Sequence, residues 1–158
     1  MSGSDFKSPL TAEFASRVAA ILQPIVFDLL DLSLQLKHVH WNLRGALFMP
    51  LHAQLDGIHA TVSEAADGVA ERQVMLGHPV DGQSASVASR SHLNALHVRF
   101  LPSQEVIEDM SNRLLRVIVL VRDGVHATGA LDPVTQDLLI GVAAGLEKHL
   151  WMLQAQQL

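Results

Sequence analysis

The chain contains no cysteine, so neither a disulfide nor a thiolate metal site is available to it. It also lacks any run of about 18 apolar residues, and hydropathy therefore indicates no membrane span. The opening residues, MSGSDFKSPL, do not have the basic-then-apolar layout of a secretory signal, and a cytoplasmic location is expected. Lys and Arg total 11 against 16 Asp and Glu, a formal charge of −5. A surface built mainly to grip DNA phosphates needs clustered cations, which this balance does not favour. Against these absences stand nine histidines in 158 residues. Without thiols, any metal must be held by imidazole and carboxylate, donors that suit iron, zinc or manganese.

The length fits one domain, and an apolar fraction of 49% is enough for a sizeable core. Four long helical segments are expected, and no strand pattern competes with them. The first runs from Ala12 to Leu43 with Thr11 as N-cap, Pro24 kinking or dividing it and Gly45 ending it. Residues 1–11 form a flexible arm and 12–156 the folded domain. The second helix starts near Pro50 and stops at Gly77. Pro79 to Leu101 reads as a long connection with a short helix around Val87 to Leu93. A third helix follows Pro102, with Ser103 as N-cap, and fades near Gly129; Asp132-Pro133 opens the fourth. Two helices, a long crossover and two more helices specify an all-α, ferritin-like four-helix bundle.

The second helix carries the chemical signal. With His52 at zero on a wheel of about 100° per residue, Asp56, Asp67, His78 and Glu71 fall between roughly 40° and 100°. Leu55, Ile58, Val62, Val69 and Leu76 lie on another side, near roughly 270°, and predict the core face. Most charged stripes are simply wet. Here Ala60, Ser63, Ala70 and Val74 are interspersed among the charges, and small residues suggest close approach by another helix. Asp56 and Asp67 stand about 16 Å apart along a straight helix, whereas metal–ligand bonds are about 2 Å. They cannot bind the same metal cluster from one rod. Two copies antiparallel about a two-fold axis bring His52 and Asp56 of one against Asp67 and Glu71 of the other. Nor does the chain contain a Glu-x-x-His motif, the usual means of closing a di-iron site within one subunit.

His40-Trp41-Asn42, Arg44-Gly45, Leu51-His52, Leu55-Asp56-Gly57, Asp67 and Ala70-Glu71-Arg72 together resemble the Dps family of miniferritins, as does the ending Glu147-Lys148-His149-Leu150-Trp151-Met152. The resemblance runs from about Val18 to Gln154 and is most specific between Leu32 and Gly77. It implies a hollow dodecamer built from two-fold dimers, with di-iron ferroxidase centres at the dimer interfaces. There, ferrous iron is oxidised by peroxide or dioxygen and the ferric product is stored as mineral. Carried over by position, His40, His52 and Asp56 come from one subunit and Asp67 and Glu71 from its partner. Glu71 bridges two irons, Asp56 binds directly or orients a ligand, and Trp41 sits beside the centre, as a radical quencher or as plain packing.

His78, one heptad beyond Glu71, is either a surface loop residue or an additional nitrogen ligand that would let zinc compete with iron. His38, His59, His92, His97, His126 and His149 show no partner pattern and are assigned no metal. Asp132 reads as an N-cap. The resemblance adds that Asp132 and Asp137 line three-fold pores admitting ferrous ions. Two other readings stay open: a DNA-compacting or structural shell whose metals serve only assembly, and an intrasubunit di-iron oxygenase. The N-terminal arm offers only Lys7 before Arg17, and the chain ends Gln156-Gln157-Leu158 without a basic extension. Little DNA affinity is therefore expected at physiological salt; a gel mobility shift that persists there would contradict this.

Overall fold

The computed structural model describes residues 7–157, so the first half of the expected N-terminal arm lies outside the described residues. Helix α1 spans Ala12–Asn42, and the Thr11 hydroxyl accepts from the Phe14 amide, as a cap should. Pro24 lies inside α1 without dividing it. Val18, Leu22, Ile25, Leu29, Leu32, Leu36 and Val39 form a fully buried stripe along α1. By length and composition α1 does pass as a membrane-crossing helix, contrary to the hydropathy reading, yet this stripe is the spine of the bundle core.

Gly45, at φ +124°, turns the chain into α2, Phe48–Met75. Pro50 falls in its first turn rather than at its start; the missing amide is one the helix would leave unbonded there anyway. Gly77, at φ +87°, ends the helical path. Helices α1 and α2 run antiparallel, tied by Gln23–Gln73, Ser33–Ser63 and Lys37–Asp56. The five residues expected on the core face of α2 are all buried.

The crossover carries α3, Ser84–Arg90, three residues earlier than expected. The helix ends at Arg90 and Ser91 is extended, and the next residue is held to α1, where the Asp28 carboxylate accepts from the His92 amide and ring. The chain then makes an unexpected two-residue parallel pairing, with β1 (Leu43–Arg44) beside β2 (Leu101–Pro102). The Ser103 hydroxyl donates to the Arg44 carbonyl instead of capping, and Pro102 occupies the cap position of α4, Ser103–Thr128. α5, Pro133–Gln154, closes the antiparallel second hairpin. The result is an all-α, four-helix bundle with α3 in its crossover.

A buried polar clamp helps to join the hairpins. Asp132 caps α5 through the Val134 amide, accepts from Arg72 of α2 at 2.6 Å, and accepts from the Thr135 hydroxyl. Its side chain is 4% exposed and that of Arg72 14%. Burial opposes ionisation of Asp132, but the hydrogen bonds from Arg72 and Thr135 outweigh it and hold the carboxyl below its usual value. Removing one partner of a buried pair strands the other charge. Asp132→Ala is expected to destabilise the folded chain by about 3 kcal/mol in urea titrations near neutral pH. Because the native pKa is depressed, the clamp's contribution is full above the unfolded value of about 3.9 and fades as pH falls through the native one. A variant that loses no stability at neutral pH would show the clamp to be inert.

Candidate metal centre

In the last turn of α1, two residues before its end, His40 faces the first three turns of α2. One donor atom from each of His40, His52 and Asp56 lies within 4.8 Å of the others. The His40 and His52 rings stack at 3.6 Å, and Phe48 packs on His52 at 4.9 Å. His40 Nδ1 donates to the His52 carbonyl at 3.2 Å, which leaves its Nε2 with the free lone pair. Metal-binding histidines are held in this way, by a donor bond from the other ring nitrogen. His52 Nδ1 is buried without a hydrogen-bond partner. The set offers two imidazoles and a carboxylate, and that orphaned nitrogen lacks a ligand; both fit a divalent transition metal.

The electrostatics favour the binding-competent protonation states. Burial lowers the His40 pKa; Asp56 opposes this, while His52 and Lys37 add to it. The imidazole is thus biased toward its neutral, ligating form. The hydrogen bond from Lys37 holds Asp56 below the usual carboxylate range. Lys37 was not singled out in the sequence. It stands one turn before His40, and its Nζ reaches Asp56 Oδ1 at 2.8 Å while lying 6.0 Å from the Trp41 ring centre. Trp41 itself is 69% exposed.

Within one chain the remaining expected ligands stand apart from this cluster. Asp67 and Glu71 are exposed on α2 and line an open groove with Ala70, Val74, Met75 and Val80. His78 lies beyond the left-handed Gly77, where helical geometry has ended, and its Nε2 is 3.5 Å from the Ser16 hydroxyl of α1. Asp132 is buried in its clamp with Arg72 and Thr135, whereas Asp137 is exposed beside Glu64 in a groove between α2 and α5. Among the histidines assigned no metal, His38 meets the His97 carbonyl, His149 meets the Thr61 hydroxyl, and His92 pairs with Asp28.

Residues 19–157 match the Ferritin-like domain family. The DNA protection during starvation protein of Agrobacterium fabrum is 30% identical over 94% of this chain and 93% of its own length. The fold superimposes on Mycobacterium smegmatis Dps with a TM-score of 0.91 and 33% identity, covering 97% of this chain and 93% of that one. The chain belongs to the Dps family of ferritin-like proteins. Dps from Microbacterium arborescens, solved in a high iron form, is likewise similar, at TM-score 0.88 and 31% identity over 92% of this chain and 97% of that one.

In this Dps chain the Lys37 ammonium occupies Asp56 Oδ1, an oxygen of the candidate donor set. Lys37→Met keeps the alkyl stem and removes the charge. It is expected to tighten divalent-metal binding by about three- to tenfold in calorimetric titration, as loss of a neighbouring cation should. Unchanged affinity would mean that Lys37 does not compete for Asp56.

Proposed function

We propose that this Dps protein oxidises ferrous iron at centres shared between two-fold-related subunits and stores the ferric product in a hollow dodecamer, in the cytoplasm. The observation that carries the reading is the split donor set. His40, His52 and Asp56 converge, while Asp67 and Glu71 stand on an open groove farther along the same rod. At 1.5 Å per residue, Asp67 lies about 16 Å beyond Asp56, too far for a joint site within one chain. A second copy of α2, antiparallel to the first, supplies the missing carboxylates and generates two equivalent centres. The iron named with the Microbacterium relative supports the choice of metal.

Iron is the substrate. His40 Nε2 and a His52 ring nitrogen are neutral donors, Asp56 is anionic, and the partner's carboxylates add charge that favours the ferric state over the ferrous one. Two ferrous ions each give up one electron, and the pair reduces one peroxide to water. Delivering both electrons together avoids releasing a hydroxyl radical. Hydrolysis of the ferric product releases protons, and acidic side chains facing the cavity collect the mineral. Asp137 stands exposed near the start of α5, and three copies around a pore would draw cations inward. Zinc, which accepts the same nitrogen and oxygen donors, would compete at the centre. If His78 joins as a ligand, it must swing away from Ser16. Protection of DNA, which the names of the relatives advertise, follows here from removing iron and peroxide rather than from gripping the duplex.

Mixing variants tests the sharing directly. His52→Ala and Glu71→Ala homo-oligomers should each lose rapid ferrous oxidation, as should the double variant. Refolded together, they form mixed dimers in which one of the two centres retains both residues, so stopped-flow oxidation should return in part. A mixture as inactive as either parent would place the whole centre inside one chain, and a double variant that oxidises iron at the parental rate would remove the ligand assignment.

A further inference from the structure

The side of α5 turned toward α2 carries Gly145 and, four residues on, His149, and Thr61 of α2 stands against both. A Cβ at Gly145 would lie 3.5 Å from the Thr61 methyl carbon, so the two helices approach closely there. The Thr61 hydroxyl has one proton and donates it to the Gly57 carbonyl at 3.2 Å. His149 Nε2, 2.8 Å from the same oxygen, is therefore the donor, and Nδ1 keeps the lone pair. That Nδ1 is buried with no hydrogen-bond partner among the described residues. The neutral ring fits this place. An imidazolium puts a second N–H where nothing accepts it, and an unpaired buried donor is costly. Burial lowers the His149 pKa, and the Lys148 charge beside it on α5 adds to this. On α2 the acids nearest Thr61 along the helix are Glu64, exposed on the groove, and Asp56, held by Lys37. On α4, Arg122 is paired with Glu147 of α5. No acid offsets the burial and the Lys148 charge among the described residues.

We propose that His149 and Thr61 form an acid-sensitive latch between α2 and the C-terminal half of α5, closed with a neutral imidazole and loosened by its protonation. The other polar contacts between these segments lie at the two ends. Arg72 holds Asp132 and Thr135 at the start of α5, and Gln54 meets Gln156 just past its end. Neither contact contains a group that titrates between about pH 7 and 5, since amides do not ionise, Arg stays charged and Asp132 is held below its usual value. Mild acid therefore acts on the His149 contact, while the Asp132 clamp keeps the start of α5 docked. The native His149 pKa lies below the unfolded histidine value of about 6.5. The latch accordingly contributes fully above that value and weakens as pH falls from it toward the native one. The helix it releases is the one that carries His52 and Asp56, so the same step relaxes the backing of the candidate donors.

The test uses the full-length assembled protein and two mass-spectrometric readouts between about pH 7.5 and 5. Backbone hydrogen exchange, corrected for its intrinsic pH dependence, is compared between residues 142–154 and 133–141 of α5. In the parent, protection of the first stretch should fall about three- to tenfold more than that of the second, as a pKa shift of up to about one unit requires. His149→Gln keeps an amide that can donate to Thr61 and does not titrate, so the difference between the stretches should vanish. Exchange of the ring C2 hydrogen of His149 gives that residue's own pKa in the parent and needs no variant; a value below about 6.5 is expected. The same extra loss in His149→Gln, a uniform loss along α5, or a ring that titrates at or above about 6.5 would each overturn the proposal. None of these readouts involves a metal, so the latch stands or falls independently of the shared centre.

Discussion

Everything at the candidate centre depends on how α2 is rolled about its own axis. Leu51, Leu55, Ile58, Val62, Val69 and Leu76 are all buried, and each such side chain gains roughly 1.5–3 kcal/mol from leaving water. Rolling the helix half a turn would exchange them for Asp56, Asp67 and Glu71, adding the cost of desolvating three carboxylates. One orientation is therefore strongly preferred. It leaves the donor stripe on the outside of the subunit, where a single bundle cannot close it. The hydrophobic pattern thus has a chemical consequence, since a core that excludes these carboxylates leaves them on the surface of the subunit.

The end of α1 completes the first half of the candidate donor set, and its position is secured by polar contacts in addition to the burial of Leu36, Val39 and Leu43. The β1–β2 pairing fastens the chain after α1 to the start of α4, and Asp28 fastens the crossover to the middle of α1. Farther along α2, Arg72 is locked to Asp132, so the residue next to Glu71 is held against the start of α5. That clamp links the groove carrying the outward carboxylates to the helix end bearing Asp137.

The occupied state of Asp56 shows a balance between folding and binding. Lys37 neutralises the carboxylate in the isolated chain, sparing an exposed acid beside two imidazoles with little else to offset it. A cation arriving at Asp56 Oδ1 would have to displace that ammonium. Membership in the Dps family places these residues in a ferritin-like bundle, but Lys37 and the Asp28–His92 pair are read from this chain's own contacts.

Much was determined by order along the chain alone. The 3.6-residue period of Leu, Ile and Val set the four long helices; Thr11 and Asp132 marked helix starts; Gly45 and Gly77 marked turns, because these are local choices of backbone and cap. The collinearity of His52, Asp56, Asp67 and Glu71 was equally visible, since helical spacing follows from numbering. What tertiary structure decided involves residues far apart in sequence. Ser103 lost its cap role to the Arg44 carbonyl, α3 shifted because Asp28 captured His92, and Lys37 and Asp56 met across two helices. Asp132 turned inward to Arg72, sixty positions away. Such pairings depend on which helix faces pack together, and a periodic pattern states that a face is polar without naming the group that will stand opposite it.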